Sequence, residues 1–323
     1  MQFGEDILSL IGNTPLVKLS KVTRGLKPLI LAKLEFLNPG GSVKDRIGVS
    51  MLNEAIKNGR IKEGGTIVEP TSGNTGVGLA LAAIVNGFNL VVTMPDKMSV
   101  EKRRLLEAYG ARVVVCPTNL PPGHPENYIE VAKKIARETP NSFMPNQYEN
   151  LANPKAHYET TGKEIWEQTE GRISCFVAGI GTGGTITGTG KYLKEKNPKV
   201  KVVGVDPEGS IYYDLFNGIR APANRNYKIE GIGEDFLPIT TDLSILDDVV
   251  RVSDKEAYLM ARRVAREEAI LGGSSSGAAV VGAIKVAEAM SEDDIIVTLL
   301  PDRGDRYLTK LYNDEWMKEN GFL

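Results

Sequence analysis

Short apolar runs rich in β-branched residues alternate along the chain with longer amphipathic stretches. The runs at 29–36 (LILAKLEF), 66–70 (TIVEP), 89–95 (NLVVTMP), 111–117 (ARVVVCP), 174–180 (SCFVAGI), 201–207 (KVVGVDP) and 294–301 (DIIVTLLP) read as strands. Between them, 43–56, 77–87, 99–110, 125–139 and 254–269 carry apolar residues at helical spacing. This rhythm predicts an α/β architecture of mostly parallel twisted sheets flanked by helices. Ligands in such folds bind beyond the carboxyl ends of the strands, so the loops that follow strands carry the functional question.

A chain of 323 residues has room for two lobes, and no repeat, low-complexity tract or long linker divides it. The net charge of −2 argues against nucleic-acid or membrane-surface binding. No uncharged apolar run reaches the length of a membrane helix, and the opening MQFGEDILSL lacks the basic-then-apolar pattern of a secretory signal. The two cysteines, Cys116 and Cys175, lie within strand-like runs and read as buried small hydrophobes, which suits a reducing cytoplasm. The two histidines, His124 and His157, have no ligand-like spacing with them, so no metal site is expected and a serine–histidine triad has little to draw on.

Four local patterns carry candidate chemistry. Lys44 follows the turn Pro39-Gly40-Gly41 at the start of a predicted helix, where a lysine opposes the helix dipole. The ordinary use of such a lysine is a solvated charge. The loop 69–76 (EPTSGNTG) puts Ser72, Asn74 and Thr75 at a helix start, an arrangement that receives a carboxylate or merely caps the helix. In 178–188 (AGIGTGGTITG), glycines let N–H groups converge on a phosphate, with Thr182 and Thr185 adding hydroxyls. Gly179, Gly181 and Gly184 also satisfy G-x-G-x-x-G, and Asp206 stands where a ribose-binding acid would, so a nicotinamide-dependent oxidoreductase is a rival reading. The fourth loop, 271–280 (LGGSSSGAAV), offers serine hydroxyls that cap a helix or face a ring heteroatom. A phosphate-bearing aldehyde cofactor that condenses with lysine employs all four parts, and pyridoxal 5′-phosphate fits them. The rival leaves Lys44 and the Thr-Ser-Gly-Asn loop unused.

The motifs NPGGSVKDR, PTSGNTG, GTGGTITG, SSG and LLPDRGDRYL, in this order, resemble the β-family (fold type II) of pyridoxal-phosphate enzymes, the cysteine synthase and cystathionine β-synthase group. NPKAHYETTGKEI, VGVDPEGS and EGIGEDF are most similar to the catalytic core of the cystathionine β-synthases. The resemblance implies two lobes: residues 1–41 with 147–323 as a larger cofactor-anchoring domain, and 42–146 as a smaller mobile domain carrying the lysine and the carboxylate loop. Neither a haem domain nor C-terminal regulatory domains are expected.

Carried over by motif position, Lys44 would be the Schiff-base lysine and the proton shuttle at the substrate α-carbon. Asn74 would bond the ring hydroxyl oxygen, and Gly181, Thr182, Gly183, Gly184 and Thr185 would hold the phosphate. Counting back from Pro301 and Asp302 favours Ser275 over Ser274 as partner of the pyridine nitrogen. Thr71, Ser72, Thr75 and Gln147 would clamp the substrate carboxylate. Tyr148, Glu230, Gly231 and Glu234 would line the entrance, Glu234 standing where the animal enzymes have a tyrosine; a solvated loop acid is its bland alternative. The implied reaction is β-replacement on small amino-acid and thiol substrates: L-serine with L-homocysteine to L-cystathionine in transsulfuration. Hydrogen sulfide release from cysteine is a variant. The alternative is O-acetylserine sulfhydrylase activity in cysteine biosynthesis. A cytoplasmic homodimer, without nucleic-acid or membrane partners, is also implied.

Overall fold

The computed structural model describes residues 3–71, 73–96, 98, 100–118, 120–121, 123–219 and 226–323. The chain forms two compact units, each discontinuous in sequence. One comprises the chain up to Ile11 together with Asn38–Asn153, the other Gly12–Leu37 with Pro154–Leu323.

The strands are β1 (Leu16–Lys18), β2 (Leu29–Leu34), β3 (Thr66–Pro70), β4 (Asn89–Pro95), β5 (Arg112–Cys116), β6 (Ser142–Phe143), β7 (Cys175–Gly179), β8 (Lys201–Pro207), β9 (Asp248–Val252) and β10 (Ile295–Leu300). The first unit holds a four-stranded parallel sheet in the order β5-β4-β3-β6, with Thr66 paired to Asn89 and Val91 to Arg112. The second holds a six-stranded sheet in the order β1-β2-β10-β7-β8-β9, parallel except for β1. The α/β expectation is met, and the seven runs read as strands all lie in sheets.

The helices are α1 (Lys44–Lys57), α2 (Asn74–Val85), α3 (Val100–Ala108), α4 (Tyr128–Glu138), α5 (Ala152–His157), α6 (Lys163–Gln168), α7 (Gly184–Lys196), α8 (Tyr212–Phe216), α9 (Asp254–Glu267), α10 (Ser274–Ala287) and α11 (Asp314–Glu319). Ser253 and Glu256 close a capping box on α9. In the second unit, α10 is apolar nearly all round because it is buried between α9 and the sheet strands. Val177, Val205, Val280, Ile296 and Leu300 sit in one continuous core there.

In the first unit α1 and α2 pack against each other through glycine. A Cβ on Gly78 would stand 2.5 Å from the Lys44 carbonyl oxygen and 3.0 Å from the Asp45 Cα, so the helix carrying the anion loop lies directly on the first turn of the lysine helix. Only a residue without a side chain permits that approach. In the second unit Lys33 is wholly buried, and its ammonium meets Glu164 at 2.7 Å, the Thr14 carbonyl at 2.7 Å and Gln168 Oε1 at 3.0 Å. Three donors with three acceptors is the condition on which a buried lysine is tolerated.

Candidate active site

The candidate residues fall into one group in each unit. In the first, the turn before α1 is held by the Gly41 N–H on the Asn38 carbonyl (2.8 Å) and by the Asn38 side-chain amide on the Ser42 carbonyl (3.2 Å). The buried Asp45 carboxylate reaches back to accept the Gly40 N–H at 2.6 Å. Lys44 is thereby the first residue of α1, its N–H on Ser42 Oγ at 3.2 Å and its side chain half-buried.

The other members of this group come from the loop after β3 and from the chain that follows β6. Asn74 opens α2. Thr71 Oγ1 accepts the Gly73 N–H at 3.3 Å. The buried Thr75 hydroxyl donates to Gln147 Oε1 at 2.6 Å, which joins two candidates that lie far apart in sequence. Tyr148 is half-buried beside Gln147, and Ser72 lies outside the described residues.

In the second unit β7 runs into the loop 180–183, and α7 starts at Gly184. Gly183 has φ +76°, and a Cβ there would come within 2.6 Å of the Thr241 Cβ and 2.8 Å of its Cα. The Thr182 carbonyl is pinned by the hydroxyls of Thr240 (2.5 Å) and Thr241 (3.1 Å), and the Gly181 carbonyl accepts the Tyr212 hydroxyl at 2.5 Å. Gly181 also lies against Gly231: a Cβ on the former would be 2.7 Å from the latter's carbonyl oxygen. Thr185 in the first turn of α7 shares a hydrogen bond with His157 Nε2 at 3.2 Å, and His157 Nδ1 meets Thr161 Oγ1 at 2.9 Å in the π-helical turn Tyr158–Gly162. The loop therefore presents the N–H groups of a helix start while the carbonyls of Gly181 and Thr182 are tied back. Exposed N–H groups at a helix start are suited to an anion such as phosphate.

The serine loop separates its three hydroxyls. Ser274 Oγ accepts the Glu230 N–H at 3.1 Å, and Ser276 Oγ is sealed in the interior. Ser275, only 2% exposed, has no side-chain partner among the described residues. Glu230 is paired with Lys310 at 2.9 Å, and Glu234 is half-buried with its N–H on Ser210 Oγ at 3.0 Å.

Asp206 is spent on structure. It is wholly buried and accepts the Tyr213 N–H of α8 at 2.9 Å; burial pushes its carboxyl up to about 6 against the pull of Ser210, that N–H and Arg251. An acid that binds ribose must be open to the ligand, so the dinucleotide reading loses its acidic partner. Spacing alone does not reveal His157, Thr240, Thr241 or Tyr212. His157 lies within a motif of the family, but its spacing speaks only to metal binding, and the segment 237–241 carries no pattern to mark it.

Taken unit by unit, the donors fit parts of a phosphate-bearing pyridine aldehyde: in the second unit a helix start where a Cβ on Gly183 would crowd Thr241, with a buried Ser275 hydroxyl that has no side-chain partner among the described residues, and in the first a lysine at the head of a helix. The chain belongs to the family of pyridoxal-phosphate-dependent enzymes, whose model matches residues 7–302. Its cofactor is accordingly pyridoxal 5′-phosphate, and the fold is that of the fold type II members.

More particularly, the chain is 47% identical over 321 residues to the cystathionine β-synthase of Dictyostelium discoideum, covering 99% of this chain and 64% of that protein. It is 46% identical over 322 residues to that of Oryctolagus cuniculus, covering 98% and 58%. The chain thus spans less than two thirds of the length of these relatives. A solved structure, the O-acetylserine-dependent cystathionine β-synthase of Helicobacter pylori, superposes with TM-score 0.87 at 41% identity, covering 96% of this chain and 99% of that one. No helix among the described residues is long and apolar enough to cross a membrane.

Proposed function

We propose that the protein catalyses β-replacement on serine or an activated serine, with L-homocysteine as the thiol and L-cystathionine as the product. The observation that carries this reading is the 45–47% identity, over 98–99% of the chain, to cystathionine β-synthases from organisms as distant as Dictyostelium discoideum and Mus musculus. The bound cofactor supplies an aldehyde for the substrate amino group and an electron-accepting ring that stabilises charge at the α-carbon. Lys44 Nζ would hold the cofactor's aldehyde, and would take the proton from the substrate α-carbon and later return it there. Thr71, Ser72, Thr75 and Gln147 hold the substrate carboxylate, and Asn74 bonds the ring hydroxyl oxygen. Gly181, Thr182, Gly183, Gly184 and Thr185 hold the phosphate. Ser275 would offer the ring nitrogen a neutral hydroxyl, which would not enforce its protonation and so would limit charge withdrawal to what elimination requires. Tyr148, Glu230, Gly231 and Glu234 line the entrance, where a carboxylate at 234 receives the ammonium group of homocysteine.

A second reading is favoured by the likeness to the Helicobacter pylori enzyme, which depends on O-acetylserine: the same compound would be the first substrate here. Sulfide as nucleophile, making the chain a cysteine synthase, and cysteine as first substrate with release of hydrogen sulfide belong to the same chemistry. The proposed setting is a cytoplasmic homodimer in transsulfuration or cysteine biosynthesis. Two free, buried cysteines support the reducing compartment, and family resemblance supports the dimer. The test is to titrate the purified yellow protein with L-serine and with O-acetyl-L-serine, following the cofactor's absorption, and then to add homocysteine or sulfide and identify the product. Cystathionine from serine supports the first reading. A response to O-acetylserine alone moves the assignment to the second, and no response to either refutes both.

A further inference from the structure

Glu69 is the last residue but one of β3 and is 1% exposed, and among the described residues no cation meets it. Its two oxygens accept consecutive main-chain donors from the chain beyond β6: Oε2 takes the Asn146 N–H at 2.8 Å and Oε1 the Gln147 N–H at 3.1 Å. Asn146 has φ +52°, the left-handed conformation that turns two successive N–H groups toward one anion. The Gln147 carbonyl is fixed from the other side by the Asn153 side-chain amide at 2.8 Å, and Asn150 holds the Pro145 carbonyl at 2.9 Å. The Gln147 side chain leaves this knot toward α2, where its Oε1 accepts the Thr75 hydroxyl at 2.6 Å. Its Nε2 donor has no partner among the described residues.

A carboxylate in such a place is costly. Burial pushes it up to about 7, and the two amide bonds pull it back only in part. An apolar residue would avoid that cost but strand the buried N–H of Gln147 and the half-buried N–H of Asn146, and free the turn at Asn146. Glu69 stands two residues before Thr71 and six before Thr75, so one side chain ties both halves of the Thr71–Thr75–Gln147 cluster to the end of a single strand.

We infer that Glu69 is a positioning residue for recognition of the substrate carboxylate: it holds the main chain at Asn146 and Gln147 so that the Gln147 amide is aimed, through Thr75, at that carboxylate. The inference rests on the proposed role of Thr71, Thr75 and Gln147 as the carboxylate clamp. Glu69 itself does not touch the substrate. Glutamine at 69 keeps the size and one acceptor but turns an NH2 group toward a main-chain N–H, which removes one of the two ties.

The test compares holoenzyme affinity for L-serine with that for L-serinamide, which lacks the carboxylate, through the cofactor's absorption in wild type, Glu69→Gln, Gln147→Ala and the double variant. Glu69→Gln is expected to weaken L-serine at least tenfold while L-serinamide changes less than twofold. The double variant is expected to be no worse than Gln147→Ala alone. Equal weakening of both ligands, or additive losses in the double variant, would show a general structural role and overturn the inference. Should Glu69→Gln fail to fold, Glu69→Asp keeps the charge but retracts it by one methylene, and the same selective loss is required of it. Wild-type protein that binds the two ligands equally well would instead refute the clamp itself, an outcome distinct from a clamp that works without Glu69.

Discussion

Replacing Gly183 by alanine is expected to cost the protein its hold on the cofactor's phosphate, and the size of the loss can be worked from the loop. At φ +76° an alanine pays about 1–2 kcal/mol for the left-handed conformation alone. The new Cβ would lie 2.6 Å from the Thr241 Cβ and 2.8 Å from its Cα, well inside ordinary contact distance, so the Thr241 backbone must move. That movement takes the Thr241 hydroxyl off the Thr182 carbonyl, a bond of 3.1 Å whose net contribution is about 1 kcal/mol. The total is about 3 kcal/mol, or roughly a hundredfold in affinity, if the alanine loop relaxes when empty and must be forced back to bind. The assay titrates apoprotein with pyridoxal 5′-phosphate and, separately, with pyridoxal, which lacks the phosphate. A hundredfold loss confined to the phosphorylated compound is expected. Unchanged affinity, or an equal loss for both, would refute the assignment of this loop to the phosphate.

Lys44→Ala is expected to abolish turnover and to leave no cofactor attached to the protein after borohydride reduction and denaturation; retained covalent label would place the attachment elsewhere. His157→Ala should raise the dissociation constant for pyridoxal 5′-phosphate about fivefold, since it removes the partner of the Thr185 hydroxyl, a bond of 3.2 Å worth about 1 kcal/mol. His157→Gln, which restores a hydrogen-bonding group, should recover part of it. The buried Glu69 has its folded-state value raised to about 7 from an ordinary 4.5. Its contribution to stability is therefore fully present below about 4.5 and lost as pH rises through 7. Relative to Glu69→Gln, wild type should lose about 3 kcal/mol of unfolding free energy over that window, read from urea transitions at each pH. A flat difference would mean that the carboxylate is solvated.

The inner strands and the edge strand β5 are legible in the sequence, and the other edges are not. Runs such as IIVTLL and CFVAG are almost wholly apolar because parallel strands covered on both faces must be. The strands that escape such reading are β1, three residues long and antiparallel, β6, two residues long, and β9, whose Asp248 and Arg251 face partly outward. Edge strands bury less, so their composition says less. The two units divide the chain after Ile11, at Asn38 and after Asn153. Within the candidate site, Lys44 and the loops after β3 and β7 are readable because each is one contiguous motif. His157, Tyr212, Thr240 and Thr241 act by touching a carbonyl or a hydroxyl from a distant part of the chain, and spacing does not report such contacts. Ser275 is intermediate: counting from Pro301 favours it, and the engagement of Ser274 by Glu230 supplies a physical reason.

The six-stranded sheet also dictates an order of assembly. Its centre is β10, wedged between β2 and β7, so Leu29 waits for Ile295 before either can pair. A ribosome would release residues 38–153, nearly the whole of the other unit, long before that strand emerges. During this interval β2 and β7 each expose an unpaired apolar edge, the kind of surface on which nascent chains aggregate. Loss of the chain from Ile295 onward would thus strike the middle of a sheet, and a prematurely terminated chain should need a chaperone's protection rather than yield a shortened enzyme.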